Sequence, residues 1–550
     1  MDVVLVGLPG SGKSVIGKRL AHRHGASFID LDERIESATG RSIPEIFAEE
    51  GEAAFRAMEG TAIAGLGPAD RAADVRRVIA TGGGAIVDPR NRWALYRGRI
   101  SVWLDGRPEV LAQRLRRSPN VRPLVTGRDP IGTIRDLGAR RERFYGAAHV
   151  HQSGVPEVHG VVDAIEARLP AADAVATAGT TLLRAATAIG RIVLGEGIVV
   201  DALATELGTL RASRAILVSE PGAWEAAGER IAAGLRERGW TVAQVMLPEG
   251  ETAKRLGVVE RAASELASLR VERTEPLVAI GGGALGDTAG FLAATYLRGI
   301  RFIQVPTTLV AQIDSAIGGK TGVDLPEGKN LVGAFHQPAA IVIDVALLRT
   351  LPERQLRAAL GEAVKMAALG DERLFELLEA QGAAIARGEV AAFDSGAVAE
   401  LVERAVWAKV EVVIADERER AATGGRIALN LGHSLGHAVE AAGGYGDLLH
   451  GEAVAHGLRA AVRIGVEAGV TPPDRAARIT RLLDRLALAT ESLPYPLEAV
   501  MAHLATDKKH AGGRLRWVLP TADGFVIRDD IERAAVERAA SSLLAAGSAP

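Results

Sequence analysis

Distinct groups of residues in this sequence have types and spacings suited to chemistry. Near the start, Gly7-Leu8-Pro9-Gly10-Ser11-Gly12-Lys13-Ser14 fits GxxxxGK[ST] between an apolar run and an amphipathic stretch. Glycines there let backbone N–H groups approach phosphate oxygens. Lys13 adds positive charge, and the Ser14 hydroxyl can hold magnesium. In the middle, Gly281-Gly282-Gly283-Ala284-Leu285-Gly286-Asp287 follows the apolar run Leu277–Ile280. Such a turn suits a dinucleotide, though glycine-rich turns are common without one. Further on stand Gly361-Glu362-Ala363-Val364-Lys365, Asn430-Leu431-Gly432-His433-Ser434-Leu435-Gly436-His437 and His450-Gly451-Glu452. Two His and one Glu are a frequent ligand set for catalytic zinc with one position left open. His433 and His437, one helical turn apart, are an alternative pair for one ion.

The elements that must carry these groups follow from the pattern. Val3–Val6, Val78–Ala80 and Ile100–Leu104 read as buried strands of one unit, and Ile216–Val218, Leu277–Ile280, Phe302–Val305 and Ile341–Ile343 as strands of a second. Alternation with helical patterns implies parallel sheets covered by helices. From about Pro352 the pattern is mostly helical, apart from apolar pieces near Arg516–Leu519 and Phe525–Ile527. An alanine-rich stretch, Ala164 to Thr181, separates the units. The division expected is 1–170, a linker over 171–185, an α/β part over 186–350 and a helical part over 351–550.

With 550 residues, the chain is too long for one core. A net charge of -3 gives no push toward nucleic acid or acidic membranes. The absence of cysteine removes disulfides, thiol catalysis and Cys-type zinc sites, so His, Asp or Glu must hold any metal. No apolar run is long enough to span a bilayer and the N-terminus does not read as a signal peptide, so a cytoplasmic location is expected.

In the first unit the phosphate loop is followed by Phe28-Ile29-Asp30-Leu31-Asp32, Gly51-Glu52, Phe55-Arg56, Glu59, Gly82-Gly83-Gly84 and Arg122-Pro123-Leu124. This series resembles shikimate kinase over about the first 150 residues. The resemblance implies a P-loop kinase domain using ATP with Mg2+. It gives Gly10, Ser11, Gly12, Lys13, Ser14 and Arg116 to ATP, and Ser14 and Asp30 to magnesium. Asp32 becomes the base for the acceptor hydroxyl, Glu59 orients Arg56, and Gly82, Gly83 and Gly84 approach the substrate ring. Arg122 belongs to a lid over the transferring phosphoryl group, where Lys13 also acts. A second arginine should complete a carboxylate clamp with Arg56. Arg141 with Tyr145 fits that spacing, as does Arg140 with Phe144. A gluconate or nucleoside kinase is the alternative, against which Arg56, Gly82–Gly84 and Arg122 speak.

The glycine turn of the second unit continues into Gly290-Phe291, Tyr296-Leu297-Arg298-Gly299, Pro306-Thr307-Thr308-Leu309, Asp314-Ser315, Gly318-Gly319-Lys320 and Lys329-Asn330. With Pro248-Glu249-Gly250-Glu251 and Lys254 upstream, the chain from about residue 180 onward resembles 3-dehydroquinate synthase. This implies a Rossmann-like α/β NAD-binding half followed by a mostly helical metal- and substrate-binding half. Residues carried over for NAD are Glu249, Glu251, Lys254, Gly282, Gly283, Asp287, Thr307, Thr308, Lys320, Lys329 and Asn330. The resemblance gives Glu362, His433 and His450 to zinc or cobalt and leaves His437 for substrate. Lys320, Lys365, Lys409, Arg426, Asn430 and Lys508 meet the substrate's anionic groups, and Arg298 reaches the phosphate across a subunit interface, which implies a homodimer. Asp314 and Lys320 handle protons or anchor the nicotinamide end.

One departure is the separation of Asp416-Glu417-Arg418-Glu419 from Arg426, so Glu417 and Glu419 receive no role. Another is Glu220, standing where the family often has an aspartate and a candidate for a cofactor ribose. The reaction implied converts 3-deoxy-D-arabino-heptulosonate 7-phosphate to 3-dehydroquinate and phosphate, with NAD recycled. Another sugar-phosphate cyclase or a polyol dehydrogenase is the alternative for this unit, and a catalytically dead module is the alternative for either unit. Partners are expected to be small molecules only.

Overall fold

A computed structural model describes residues 1–117, 129–154, 157–419, 424–505, 510–511 and 514–545. Arg122 and Lys508 lie outside the described residues. The chain divides into two compact units, one of residues 1–186 with 191–198, the other of the remainder.

Five strands of the first unit are β1 (Asp2–Val6), β2 (Ser27–Asp30), β3 (Arg77–Ala80), β4 (Ile100–Leu104) and β5 (Val150–Gln152). They form a wholly parallel sheet in the order β2-β3-β1-β4-β5. A strand with helices on both faces has no solvated side, which is why Val3, Val4, Leu5 and Val6 are all fully buried. Ile16 and Leu20 of the helix Lys13–His24 and Val162 and Ile165 of the helix Val158–Glu166 pack on this sheet. The phosphate loop joins the C-terminal end of β1 to the helix Lys13–His24, where parallel α/β sheets place their ligands. Residues 171–185 fall within the helix Leu169–Ala178 and strand β6 (Thr180–Thr187), which leads into β7 (Gly190–Glu196).

In the second unit β8 (Ala215–Ser219), β9 (Val242–Met246), β10 (Leu277–Gly281) and β11 (Phe302–Pro306) come first. A hairpin of β12 (Lys320–Leu325) and β13 (Gly328–Phe335) intervenes before β14 (Ala340–Asp344). The strands β14-β11-β10-β8-β9 run side by side and parallel in that order. The glycine turn lies at the end of β10 and opens the helix Gly283–Thr295.

Beyond β14 the unit is mainly helical, with Glu353–Ala368, Ala397–Ala415, His433–Ala442 and His450–Glu467 central to the site. The late apolar pieces become a two-stranded antiparallel ribbon of Trp517–Pro520 and Phe525–Arg528. The architecture is therefore α/β with parallel sheets, as expected, with a helical second half to the second unit.

Candidate active sites

In the first unit the phosphate loop uses left-handed backbone at Gly10 (φ 83°) and Gly12 (φ 93°), which only glycine adopts without strain. Lys13 Nζ donates to the carbonyls of Gly7 (2.8 Å) and Leu8 (3.1 Å), so its charge lies along the loop. Ser14 Oγ is 2.5 Å from Asp30 Oδ2. Asp30 also caps the helix Leu31–Thr39, accepting from the backbone N–H of Asp32 at 3.1 Å. That pairing sets hard oxygen donors beside the loop, a donor set fitting magnesium.

Facing the loop is a second arrangement. Arg56 is held by Glu52 (2.9 Å) and by the buried Glu59 (2.8 Å). Burial pushes the Glu59 carboxyl above its ordinary value, although Arg56 opposes this. Any side chain at Gly82 would collide with the Glu59 carboxylate and come within 3.1 Å of Asp32 Oδ1. A side chain at Gly84 would collide with the Arg56 guanidinium. The three glycines thus leave an open floor among Asp32, Arg56 and Glu59.

Arg141 is buried and donates to the Gly83 carbonyl at 2.8 Å, which the Tyr145 hydroxyl also reaches at 2.6 Å; Arg140 is exposed. The pair Arg141 and Tyr145 therefore faces the glycine floor, and Arg140 does not. Arg116 is exposed near the end of the helix Pro108–Arg117.

In the second unit a cavity of about 1340 Å³ runs between the glycine turn and the helical part. Its lining includes Glu249, Glu251, Lys254, Gly282, Gly283, Asp287, Thr307, Thr308, Lys320, Lys329 and Asn330. Asp314, Asn430, His437 and His450 line it as well. Lys254 Nζ bridges Asp287 (2.8 Å) and Asn330 (2.6 Å), fastening the hairpin β12–β13 to the helix that follows the glycine turn. Glu220 is spent on backbone, accepting from the N–H of Gly250 (2.7 Å) and of Gly282 (3.3 Å), so it braces both turns.

Glu362 is fully buried on the helix Glu353–Ala368. Its Oε1 lies 3.3 Å from His433 Nε2 and 3.2 Å from His450 Nε2, yet neither carboxylate oxygen completes a hydrogen bond. Lys365 forms a close ion pair with Oε2. Burial would raise Glu362, but Lys365 and His433 outweigh it and hold the carboxyl well below its usual range. His433 Nδ1 faces the Leu431 carbonyl at 3.1 Å, which leaves the Nε2 lone pair toward Glu362. Lone pairs from two imidazoles and a carboxylate thus converge on one spot, a set that fits a divalent ion. Ring nitrogens of His433, His437 and His450 also lie within 4.8 Å of one another, so His437 borders the same spot.

Behind this group, Asp314 accepts from Lys409 at 2.6 Å and stands 3.7 Å from Lys365. Burial lowers Lys409, whereas Lys365, also penalised by burial, is raised by Glu362 and Asp314. Buried Lys409 is therefore committed to Asp314. Arg426 is likewise committed to protein, donating to the carbonyls of Gly318 (3.0 Å) and Glu417 (2.8 Å). Arg298 sits on an exposed turn with left-handed backbone (φ 66°) and is not among the residues lining the cavity.

Some site residues escape the sequence reading. Glu419 pairs with Lys320 at 2.6 Å, and Glu417 accepts from Gln337 at 3.1 Å. His503 and Arg516 line the cavity from the C-terminal part. Glu440 lies between Lys329 (2.9 Å) and His450 Nδ1 (3.4 Å). Burial would raise Glu440, but the hydrogen bond from His450 and the charge of Lys329 hold it down at about 2. Its signal was present in the periodicity: His433, His437 and Glu440 share one helix face.

Known proteins match this arrangement in order along the chain. The family models that match are shikimate kinase over residues 9–166, the N-terminal part of 3-dehydroquinate synthase over 244–358, and its C-terminal part over 359–510. The 3-dehydroquinate synthase of Symbiobacterium thermophilum is 45% identical over 57% of this chain and 86% of its own length. That of Caulobacter vibrioides is 40% identical over 63% of this chain and 94% of its own. A solved 2-epi-5-epi-valiolone synthase from Streptomyces hygroscopicus, with NAD+ and Zn2+ bound, is 29% identical. It aligns with a TM-score of 0.58 over 64% of this chain and 96% of its own. Among the described residues no helix is long and apolar enough to cross a membrane. The chain belongs to the 3-dehydroquinate synthase family through its second unit and carries a shikimate kinase domain ahead of it, which makes it a bifunctional enzyme of the shikimate pathway.

Proposed function

We propose that the first unit phosphorylates shikimate as follows. Arg56 and Arg141 clamp the carboxylate across the glycine floor, with Glu59 holding Arg56 at its post. Asp32 accepts the proton of the attacking hydroxyl, while Lys13 and Arg122 meet charge on the transferring phosphoryl group. Ser14 and Asp30 hold Mg2+, and Gly10, Ser11, Gly12 and Arg116 serve ATP.

For the second unit we infer conversion of 3-deoxy-D-arabino-heptulosonate 7-phosphate to 3-dehydroquinate and phosphate. The observation that carries this is the convergence of Glu362, His433 and His450 at the end of a cavity whose other end has a nucleotide-type glycine turn. When bound, a divalent ion there supplies Lewis acidity to a carbinol oxygen, and NAD supplies a hydride acceptor that is restored in the same turnover. Glu362, His433 and His450 would hold zinc or cobalt. Lys254, Asp287 and Asn330 shape the NAD cleft, with Glu249, Glu251, Gly282, Gly283, Thr307, Thr308 and Lys329. Asp314, set between Lys409 and Lys365, keeps its charge and fixes both ammonium groups near the reacting carbons. Asn430 and His437 face the substrate from the helical side, and Arg426 shapes the loop Gly318–Lys320 on which Lys320 approaches. Lys508 adds a further cation.

We further propose a domain division near 170–185, a homodimer built through the synthase half with Arg298 completing the neighbouring site, and a cytoplasmic location. An active monomer in sedimentation velocity excludes the shared site. The valiolone synthase likeness makes another sugar-phosphate cyclase the second reading, but identity favours the carboxylate-bearing substrate, at 45% against 29%. Offering the heptulosonate phosphate and a heptulose phosphate lacking the carboxylate separates them. Phosphate release from the first alone is expected; preference for the second overturns the assignment.

A further inference from the structure

Glu440 is not used by the chemistry above, yet it is buried where the nucleotide and metal sides of the cavity meet. It lies on the helix His433–Ala442, at 6% exposure. One oxygen accepts from Lys329 Nζ at 2.9 Å; the other lies 3.4 Å from His450 Nδ1. Lys329 belongs to β13, pairs with Glu251 at 3.2 Å and sits 4.6 Å over the Tyr445 ring.

The two imidazoles facing Glu362 are oriented differently. His433 is set by a backbone carbonyl, that of Leu431, in the turn just before its own helix. The Nδ1 of His450 instead meets a side chain, Glu440. A carboxylate only accepts, so this contact requires the proton on Nδ1 and turns the Nε2 lone pair toward Glu362. The orientation of His450 therefore depends on where Glu440 is held, and Lys329 holds it.

We propose that Glu440 is a positioning residue that presents His450 to the metal, and that Lys329 clamps it, so that metal affinity depends on the hairpin β12–β13 of the nucleotide side. This rests on reading Glu362, His433 and His450 as the ligands. Carboxylates behind ligating histidines typically contribute about 10- to 100-fold in metal affinity.

The test is the zinc dissociation constant of the full chain, measured by competition with a chromogenic chelator, with the thermal midpoint of the metal-free protein as a check on folding. Glu440→Ala is expected to bind zinc roughly 10- to 100-fold more weakly with its metal-free midpoint retained. Glu440→Gln, whose amide oxygen still accepts from Nδ1, is expected to fall between it and the parent. Lys329→Met, which frees the clamp but leaves Glu440, is expected to weaken zinc binding as well. Parent-like affinity in Glu440→Ala, while His433→Ala loses zinc, overturns the proposal and leaves the ligand set standing. Parent-like affinity in His433→Ala overturns the ligand set itself. If Glu440→Ala does not fold, parent-like affinity in both Glu440→Gln and Lys329→Met overturns the proposal.

Discussion

His149, in the first unit, shows how a single side chain ties stability to pH. Its Nδ1 accepts from the Ser101 backbone N–H at 3.1 Å, so the ring is neutral, and burial pushes its pKa down to about 4. The folded value lies below the unfolded one, so this stabilisation is complete above about pH 6.5 and is lost as pH falls toward 4. A deficit of up to about 3 kcal/mol accumulates over that window. Thermal melts of the parent and His149→Gln at pH 7.5 and 4.5 check this. The parent is expected to lose more of its midpoint on acidification than the variant does; equal losses contradict it. Lys13 stood out through the spacing of its phosphate loop, whereas Asp32, Glu362 and His433 were singled out through the family resemblance. Glu440 was marked only by sharing a helix face with His433 and His437, because a carboxylate on an amphipathic helix is normally solvent-facing and its partner Lys329 is distant in sequence.

At the scale of elements, glycines beside the ligands set how closely their helices cross. A side chain at Gly361 would collide with the Gly451 carbonyl, and one at Gly451 with the Ala358 carbonyl. Backbone-to-backbone contact there brings Glu362 and His450, each the immediate neighbour of one glycine, within 3.2 Å. Gly451→Ala should force the helices Glu353–Ala368 and His450–Glu467 apart without removing a donor. The expectation is at least a tenfold loss of zinc affinity, read by chelator competition, with full kinase activity. Unchanged affinity contradicts a crossing-controlled site. The parallel strands were readable because burial on both faces makes them continuous apolar runs. The hairpin β12–β13 was not, since Lys320-Thr321-Gly322-Val323-Asp324 and Gly328-Lys329-Asn330 break period-two alternation with glycines, and it divides its residues between the cleft, through Lys329 and Asn330, and the core, through Val323. At residues 171–185 an alanine-rich composition suits a linker and a helix equally, and the helix Leu169–Ala178 forms at their start.

For the whole molecule, the described site residues of the two activities fall in separate compact units. The activities should therefore separate. Lys13→Met is expected to abolish ATP-dependent phosphorylation of shikimate and leave phosphate release from the heptulosonate phosphate intact, and His433→Ala to do the reverse. Loss of both activities in either variant, with folding retained, contradicts independent sites. The order of the units was plain in the sequence because each carries a motif series of its own.

A zinc-reconstituted assay of the second unit's reaction within the full chain, after chelator treatment, tests the redox-recycling chemistry at Glu362, His433 and His450. NAD and the heptulosonate phosphate are supplied, and phosphate and NADH are followed together. Metal-dependent phosphate release without accumulating NADH, abolished by His433→Ala, is expected. Stoichiometric NADH without phosphate release would mean a dehydrogenase, and the roles given to Asp314, Lys365 and Asn430 would fall with it.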